Sequence, residues 1–318
     1  MCAISAAGTT PASGFSQMIR VEPSLGSTPV LPAERGRQLC AQLEAGNIVF
    51  LPASPIPISP EDRELLLDRK QTGSAYHKNI AYRPSEDRVT GLDASEQSDA
   101  EILRRILRDF SNSAEKFIGN FLEPYAGKWK LDYASYRPIE EKGRPARLHA
   151  RNDLLHFDSF PTRPTNGSRI LRFFVNLNPW QDRVWLTSQT FEAFGPHYAQ
   201  AGNLLSSVAG NPVSRGLRAA ARALHLPFGA RPPYDEFMHR CHNAMKEDAA
   251  FQQNTIKHQW NFAPNSAWMV YTDCVSHAVL SGQYALEQTL LIPQSALVEP
   301  QKSPLAILER IARQSLTL

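Results

Sequence analysis

The sequence predicts an α+β protein: a double-stranded β-helix, or jelly roll, with a helical layer before it and a helical insertion inside it. Three observations carry this. Helical periodicity dominates as far as Gly127. From Trp129 onward the pattern becomes short runs of strand-forming residues divided by Pro, Gly and Asn turns. A helical block between about His197 and Gln253 interrupts these runs, which then resume. Many short strands split by one insertion, after a helical preface, fit two packed sheets wrapped by helices.

Residues 1–28 are small and polar and are expected to be disordered. Residues 29–318 read as one domain, because no linker-like stretch divides them. Within it, 29–128 form the helical layer, 129–300 the jelly roll with its insertion at 197–253, and 301–318 a C-terminal helix. Pro32 to Glu44 has helical spacing, and Ile48 to Leu51 is an apolar strand. Ser59-Pro60-Glu61-Asp62 opens a second helix, with a capping hydroxyl, proline in the first turn and acids at the positive dipole end. Ser98-Asp99-Ala100-Glu101 opens the longest helix, to about Leu122, with Ile102, Leu103, Ile106, Phe110, Phe117 and Phe121 as its apolar stripe. The strands follow at 129–136, 156–159, 169–178, 183–194, 258–262, 267–272, 277–280 and 284–292.

The chain of 318 residues is 42% hydrophobic and 20% charged, an ordinary globular composition. A net charge of +3 does not point to nucleic acid. The four cysteines are scattered without a CxxC pair, as in a reducing compartment. No run approaches the roughly 20 apolar residues of a membrane span, and no signal peptide is visible. A cytoplasmic location is expected, with any membrane contact peripheral.

The chemistry centres on His156-Phe157-Asp158 and the distant His277. Side chains at i and i+2 of a strand share a face. A histidine from a second strand can then complete a facial set of two imidazoles and one carboxylate, which holds Fe(II) and leaves positions open for oxygen chemistry. His239, Cys241 and His242 form a rival cluster, but on a helix the two histidines share a face that the cysteine does not.

Arg172 lies in the apolar strand Ile170–Val175 and needs an anion: either a structural carboxylate or the distal carboxylate of a keto-acid cosubstrate. Arg137 and Arg183, the latter beside Trp185, are weaker cases. In the insertion, Arg215, Arg218 and Arg222 recur at helical spacing, followed by Arg231. They form either a solvated basic face or a site for phosphates at a membrane surface.

Two blocks resemble a known family. They are Leu155-His156-Phe157-Asp158-Ser159-Phe160-Pro161-Thr162-Arg163-Pro164-Thr165-Asn166-Gly167 with Arg169–Pro179, and Asp273-Cys274-Val275-Ser276-His277 running to Gln288. Both look like the Kdo 3-hydroxylases, Fe(II)/2-oxoglutarate/O₂-dependent dioxygenases acting on 3-deoxy-octulosonic acid (Kdo) attached to lipid A. The resemblance implies His156, Asp158 and His277 as catalytic metal ligands, with Fe(II), 2-oxoglutarate and O₂ as cofactor and cosubstrates. It further implies a Kdo-lipid A acceptor, work at the inner face of the cytoplasmic membrane, and no nucleic-acid partner. Many 2-oxoglutarate enzymes carry a cation shortly after the distal histidine, whereas this chain has Glu287, Gln288 and Thr289. Cosubstrate binding is therefore expected from Arg172, with Gln288 and Arg137 assisting. Arg137, Arg183 and Trp185 match pocket-lining positions open to either cosubstrate or sugar; of these, Arg183 and Trp185 are placed with Arg215, Arg218 and Arg222 at the substrate. The alternatives are a same-fold hydroxylase of a protein or small acid, and a non-catalytic binder of anionic glycolipid.

Overall fold

The structure is a computed structural model that describes residues 14–22, 31–68, 79–92, 99–200, 204–209 and 231–317. Two sheets face each other. The larger places β1 (Met18–Arg20), β2 (Ile48–Leu51), β9 (Ala267–Tyr271), β6 (Arg169–Asn176), β11 (Ala285–Ile292), β5 (Lys130–Arg137), β3 (Ile80–Arg83) and β4 (Arg88–Thr90) side by side in that order. The smaller is β10 (Val275–Ser281), β7 (Arg183–Thr190) and β8 (His258–Phe262). The parallel pair β1–β2 lies at the edge of an otherwise antiparallel arrangement. The expected jelly roll with helical wrapping is the observed architecture.

Strand β6 shows how the period of two builds the layers. Phe173 points outward and meets Phe110 and Phe117 of α3 (Ala100–Phe121), with ring centroids 6.4 and 5.8 Å away. Phe174 points between the sheets and packs on Trp185 and Trp268 at 5.0 and 5.1 Å. Arg172, two residues before Phe174, shares that inner face. The buried stripe of α3 is Leu103, Ile106, Leu107, Phe110, Ala114, Phe117, Ile118 and Phe121, at helical steps of three and four. Ile102, included in the stripe expected from the sequence, is 40% exposed, while Leu107, not included in it, is buried.

Helix α1 (Ala33–Glu44) and α2 (Pro60–Leu67) begin where the sequence places them. The Ser59 hydroxyl accepts a hydrogen bond from the Asp62 amide at 3.0 Å. Ser59→Ala is expected to lower stability by about 1 kcal/mol, the usual value of such a cap, measured by urea unfolding. An unchanged midpoint would show that the helix end is held by other contacts.

Several expectations need correction. Met18–Arg20 is a strand beside β2, not part of a disordered tail; residues 1–13 and 23–28 lie outside the described residues. The short strands β3 and β4 were not anticipated. Residues 156–159 are not a regular strand: His156 makes a single bridge to His277. Strand β7 stops at Thr190, and Phe191 begins α4 (Phe191–Gln200). There Phe191, Phe194 and Tyr198 pack on Phe157, Phe237 and Phe251, a contact set that helical spacing reaches and strand alternation does not.

The irregular segment carrying His156 and Asp158 is braced by helices of the insertion, which continues as α5 (Leu204–Ala209), α6 (Pro233–Glu247) and α7 (Ala249–Asn254). Gln252 of α7 accepts from the Leu155 amide at 3.0 Å and donates to the Leu155 carbonyl at 2.9 Å. Asp235 of α6 accepts from the Thr165 amide and hydroxyl and from the Asn166 amide. Helix α8 (Pro304–Ala312) closes the chain, with Ser303 capping it through the Ala306 amide at 3.2 Å. Among the described residues, no helix is long and apolar enough to cross a membrane.

Candidate metal centre

His156 and His277 exchange backbone hydrogen bonds in both directions, at 3.1 and 3.0 Å. This bridge brings together residues far apart in sequence and sets both imidazoles side by side, ring centroids 4.7 Å apart. Each ring is also locked by its own chain. Nδ1 of His156 lies 2.7 Å from the Leu154 carbonyl, and Nδ1 of His277 lies 2.9 Å from the Val275 carbonyl. A carbonyl can only accept, so Nδ1 carries the proton in both rings and each Nε2 keeps its lone pair. The two Nε2 atoms lie 3.6 and 3.9 Å from the Asp158 carboxylate. One ligand atom from each residue falls within 4.8 Å of the others, and all three residues are buried.

The electrostatics suit a cation. Burial pushes the pKa of His156 and His277 down, so both are neutral at physiological pH. Burial would push Asp158 up, but the Arg172 guanidinium, then the His156 contact, hold its carboxyl well below the usual range. No proton has to leave these ligands before a metal enters at neutral pH. Oδ2 of Asp158 is buried without a hydrogen bond; Arg172 Nε lies 3.2 Å away as an ion pair out of hydrogen-bond alignment. An orphaned carboxylate oxygen facing two imidazole lone pairs is what a divalent ion would complete.

Beside the triad lies a cavity of about 330 Å³. Its floor is lined by arginines paired with buried carboxylates. Arg172 spans Asp158 and Glu287, with Nη1 3.1 Å from Glu287. Arg137 donates to Glu287 from Nε at 2.9 Å and from Nη2, and stands 3.9 Å from Glu141. Burial opposes ionisation of Glu287, but Arg137 and Arg172 bring its pKa down to about 2. Arg183 is 1% exposed and donates to the Gly282 carbonyl at 2.9 Å. That approach needs glycine: with φ at +125°, a Cβ on Gly282 would lie 2.7 Å from Arg183 Cγ. Burial and the neighbouring Arg137 lower the Arg183 pKa to about 10, and its Nε has no hydrogen-bond partner among the described residues. The floor is thus built to receive an anion. Trp185 stacks on the His277 ring at 5.2 Å and 20°.

The sequence profile of the 3-deoxy-D-manno-oct-2-ulosonic acid (Kdo) hydroxylases matches residues 27–315. The chain belongs to the Kdo hydroxylase family. Crystal structures of the Kdo hydroxylase KdoO, described as a non-heme Fe(II) alphaketoglutarate-dependent dioxygenase, share its fold. The complex with alphaketoglutarate and Fe(III) is 29% identical, with a TM-score of 0.77 over 94% of this chain and 97% of that one. The apo form is 30% identical with a TM-score of 0.78, and the cobalt(II) complex 29% identical with 0.77, at the same coverage. No protein of curated function matches the chain in sequence.

In this Kdo hydroxylase the structure brings His156, Asp158, His277, Arg172, Arg137, Arg183 and Trp185 to one cavity. Gln288 is not among them. It pairs with the outward-facing Phe173, and its amide donates to the Asp132 and Thr289 carbonyls. Glu287, paired with Phe174, takes the inner face. The expectation that Gln288 assists the cosubstrate is therefore corrected by strand parity. Arg215, Arg218 and Arg222 lie outside the described residues. Arg231 pairs with Glu236 at 3.1 Å and donates to the Pro161 carbonyl.

The rival cluster separates. Cys241 is turned into the core, where burial pushes its thiol up; His239 faces the Ser159 hydroxyl at 3.5 Å. His242 stands against the centre instead, its ring 4.8 Å from that of His156 and its Nδ1 2.8 Å from the Phe157 carbonyl. Burial lowers its pKa to about 4, so it is neutral. Lys246, one helical turn further along α6, also lines the cavity. This wall was not among the site residues expected from the sequence, although the i, i+4 spacing of His242 and Lys246 places them on one face of a helix.

Proposed function

We propose that this Kdo hydroxylase uses Fe(II), 2-oxoglutarate and O₂ to place a hydroxyl on C3 of the Kdo sugar of Kdo-lipid A. The observation that carries the reading is the buried facial set His156, Asp158 and His277 opening onto an arginine-floored cavity. Those three residues would hold Fe(II). With it bound, the iron supplies oxygen activation: 2-oxoglutarate is oxidised to succinate and CO₂, one oxygen atom entering succinate and the other the sugar.

The chain's own contribution is binding and orientation. Arg172, Arg137 and Arg183 offer the dicarboxylate a fixed array of donors. Arg172 also holds the outer oxygen of Asp158, so cosubstrate and metal ligand are positioned by one side chain. Trp185 and Phe174 keep the inner wall apolar and limit water around the reacting atoms.

The test is reconstitution with Fe(II), ascorbate, 2-oxoglutarate and Kdo-lipid A under air. A product heavier by one oxygen on a Kdo fragment, formed in step with succinate, is expected. Carbohydrate NMR of the product should place the new hydroxyl at C3. Succinate release that ignores the lipid, with the lipid unchanged, would sink this function and favour a protein or small acid as acceptor.

The same reading puts the enzyme at the inner face of the cytoplasmic membrane, attached peripherally through Arg215, Arg218 and Arg222. Each basic residue near an anionic surface contributes about 1 kcal/mol, screened over roughly 10 Å at about 0.1 M salt. Attachment to anionic vesicles is expected at low salt, with release at high salt. Replacing the three arginines by Glu should abolish vesicle binding while leaving 2-oxoglutarate binding intact. Unchanged vesicle binding would make this a solvated basic face.

A further inference from the structure

The turn at 272–274 carries the chain from β9 in the larger sheet to β10 in the smaller one, on the way to His277. It also reaches the other arm of the triad. The Thr272 carbonyl accepts a hydrogen bond from the Asp158 amide at 2.8 Å, and the Thr272 amide donates to the Ile170 carbonyl at 3.1 Å. The Cys274 carbonyl accepts from the Phe191 amide at 2.7 Å. One short turn therefore sets the main chain at Asp158 and leads into the strand that carries His277. A slip at this turn would shift these two proposed ligands against one another.

Asp273, in the middle of the turn, is 1% exposed and accepts a hydrogen bond from Nε of Arg169 at 2.8 Å. Arg169 opens β6 and is fully buried, its guanidinium 4.2 Å from the centre of the Tyr271 ring. The pair is sparsely satisfied: Nη1 and Nη2 of Arg169 and Oδ1 of Asp273 have no hydrogen-bond partner among the described residues. Burial also pushes the Asp273 carboxyl up, against the pull of Arg169. A buried ion pair this incomplete adds little to stability, and apolar residues of similar volume often serve a fold as well or better. They offer no directional bond, however, with which to fix a turn.

Resting on the metal centre proposed above, we infer that Arg169 and Asp273 are a positioning pair for that centre, holding the turn so that Asp158 and His277 stay in register. Neither residue lines the cavity, so the pair acts through the main chain and not by touching metal, cosubstrate or acceptor. Its loss should appear as weaker and distorted metal binding, separable from the stability of the metal-free fold.

The test uses the full chain and cobalt(II), which absorbs visible light and resists air oxidation. Four proteins are compared: wild type, Asp273→Leu, Arg169→Lys, and the double variant Arg169→Met with Asp273→Leu. Melting of the metal-free protein reports the fold, chelator competition gives the cobalt affinity, and the visible spectrum reports the geometry of the site. Asp273→Leu leaves a buried guanidinium without its carboxylate and should melt well below wild type. The double variant should recover most of that loss, yet bind cobalt about 10- to 100-fold more weakly and with an altered spectrum. Arg169→Lys keeps both charges and should lie between wild type and the double variant in affinity. A double variant that regains its melting temperature and binds cobalt as wild type does, with the same spectrum, would make the pair purely structural. If the double variant does not fold, Arg169→Lys decides: wild-type affinity and spectrum overturn the proposal, while weakened affinity with an altered spectrum supports it. A wild type that binds no cobalt would remove the metal centre itself, a failure visible before any variant is compared.

Discussion

Replacing His156, Asp158 or His277 by alanine is expected to abolish iron binding and Kdo hydroxylation together, while leaving the fold standing. The ligands close no structural shell, and the bridge between His156 and His277 is made by main-chain atoms that alanine keeps. Removing a partner that only orients a metal ligand typically costs about 10- to 100-fold in affinity, so removing a ligand should cost more. Iron content by mass spectrometry, turnover and thermal melting separate these effects. His277→Ala should also melt lower than the others, because it strips Trp185 of its stacking partner. Near-normal turnover in any of the three variants would end the facial-triad assignment.

Arg172→Ala is expected to be the most damaging change outside the triad. It leaves Asp158 with the two histidines and Glu287 with Arg137, both carboxylates buried. Breaking such a pair from one side costs about 3 to 5 kcal/mol, measurable by urea unfolding. The requirement for 2-oxoglutarate should rise by a factor on the order of 30 to several thousand, corresponding to about 2 to 5 kcal/mol. The pH dependence has a definite sign. Asp158 has its folded-state pKa held down chiefly by Arg172, so its contribution to stability is present above the ordinary carboxyl pKa of about 3.9 and is lost as pH falls through the depressed value. Without Arg172 that depression is relieved, and the loss on acidification should begin at higher pH. A variant with wild-type acid stability and a cosubstrate KM changed by less than roughly threefold would assign the anchor to another residue, Arg137 first.

Much of this was legible in the sequence because it rests on local periodicity. The helix at 100–121 was visible from apolar residues at steps of three and four, and β6 from its run of apolar residues around Arg172. Other features depend on partners distant in the chain. The three or four residues of β1, β3 and β4 are too few to show a period. Whether Glu287 or Gln288 faces the space between the sheets is a matter of register, and the pairing of Glu287 with Phe174 decides it. The His156 segment looked like a strand because it is buried and alternates, yet its main-chain groups bond to single, separate partners: the Gln252 side chain, His277 and Thr272. Nothing local in the sequence indicates that Lys246 and the rest of this face of α6 lie against a cavity.

The hydrogen bonds from Gln252 and Asp235 give the insertion a second significance. Neither residue belongs to the triad, yet together they fix both ends of the segment that carries two of the three proposed ligands. A shortened descendant lacking 233–254 would keep every ligand and still deliver them from a slack chain. Changes on these helices should therefore surface as altered iron occupancy rather than as altered surface chemistry, and trimming this region for a smaller catalyst would require a new brace for residues 155 and 165.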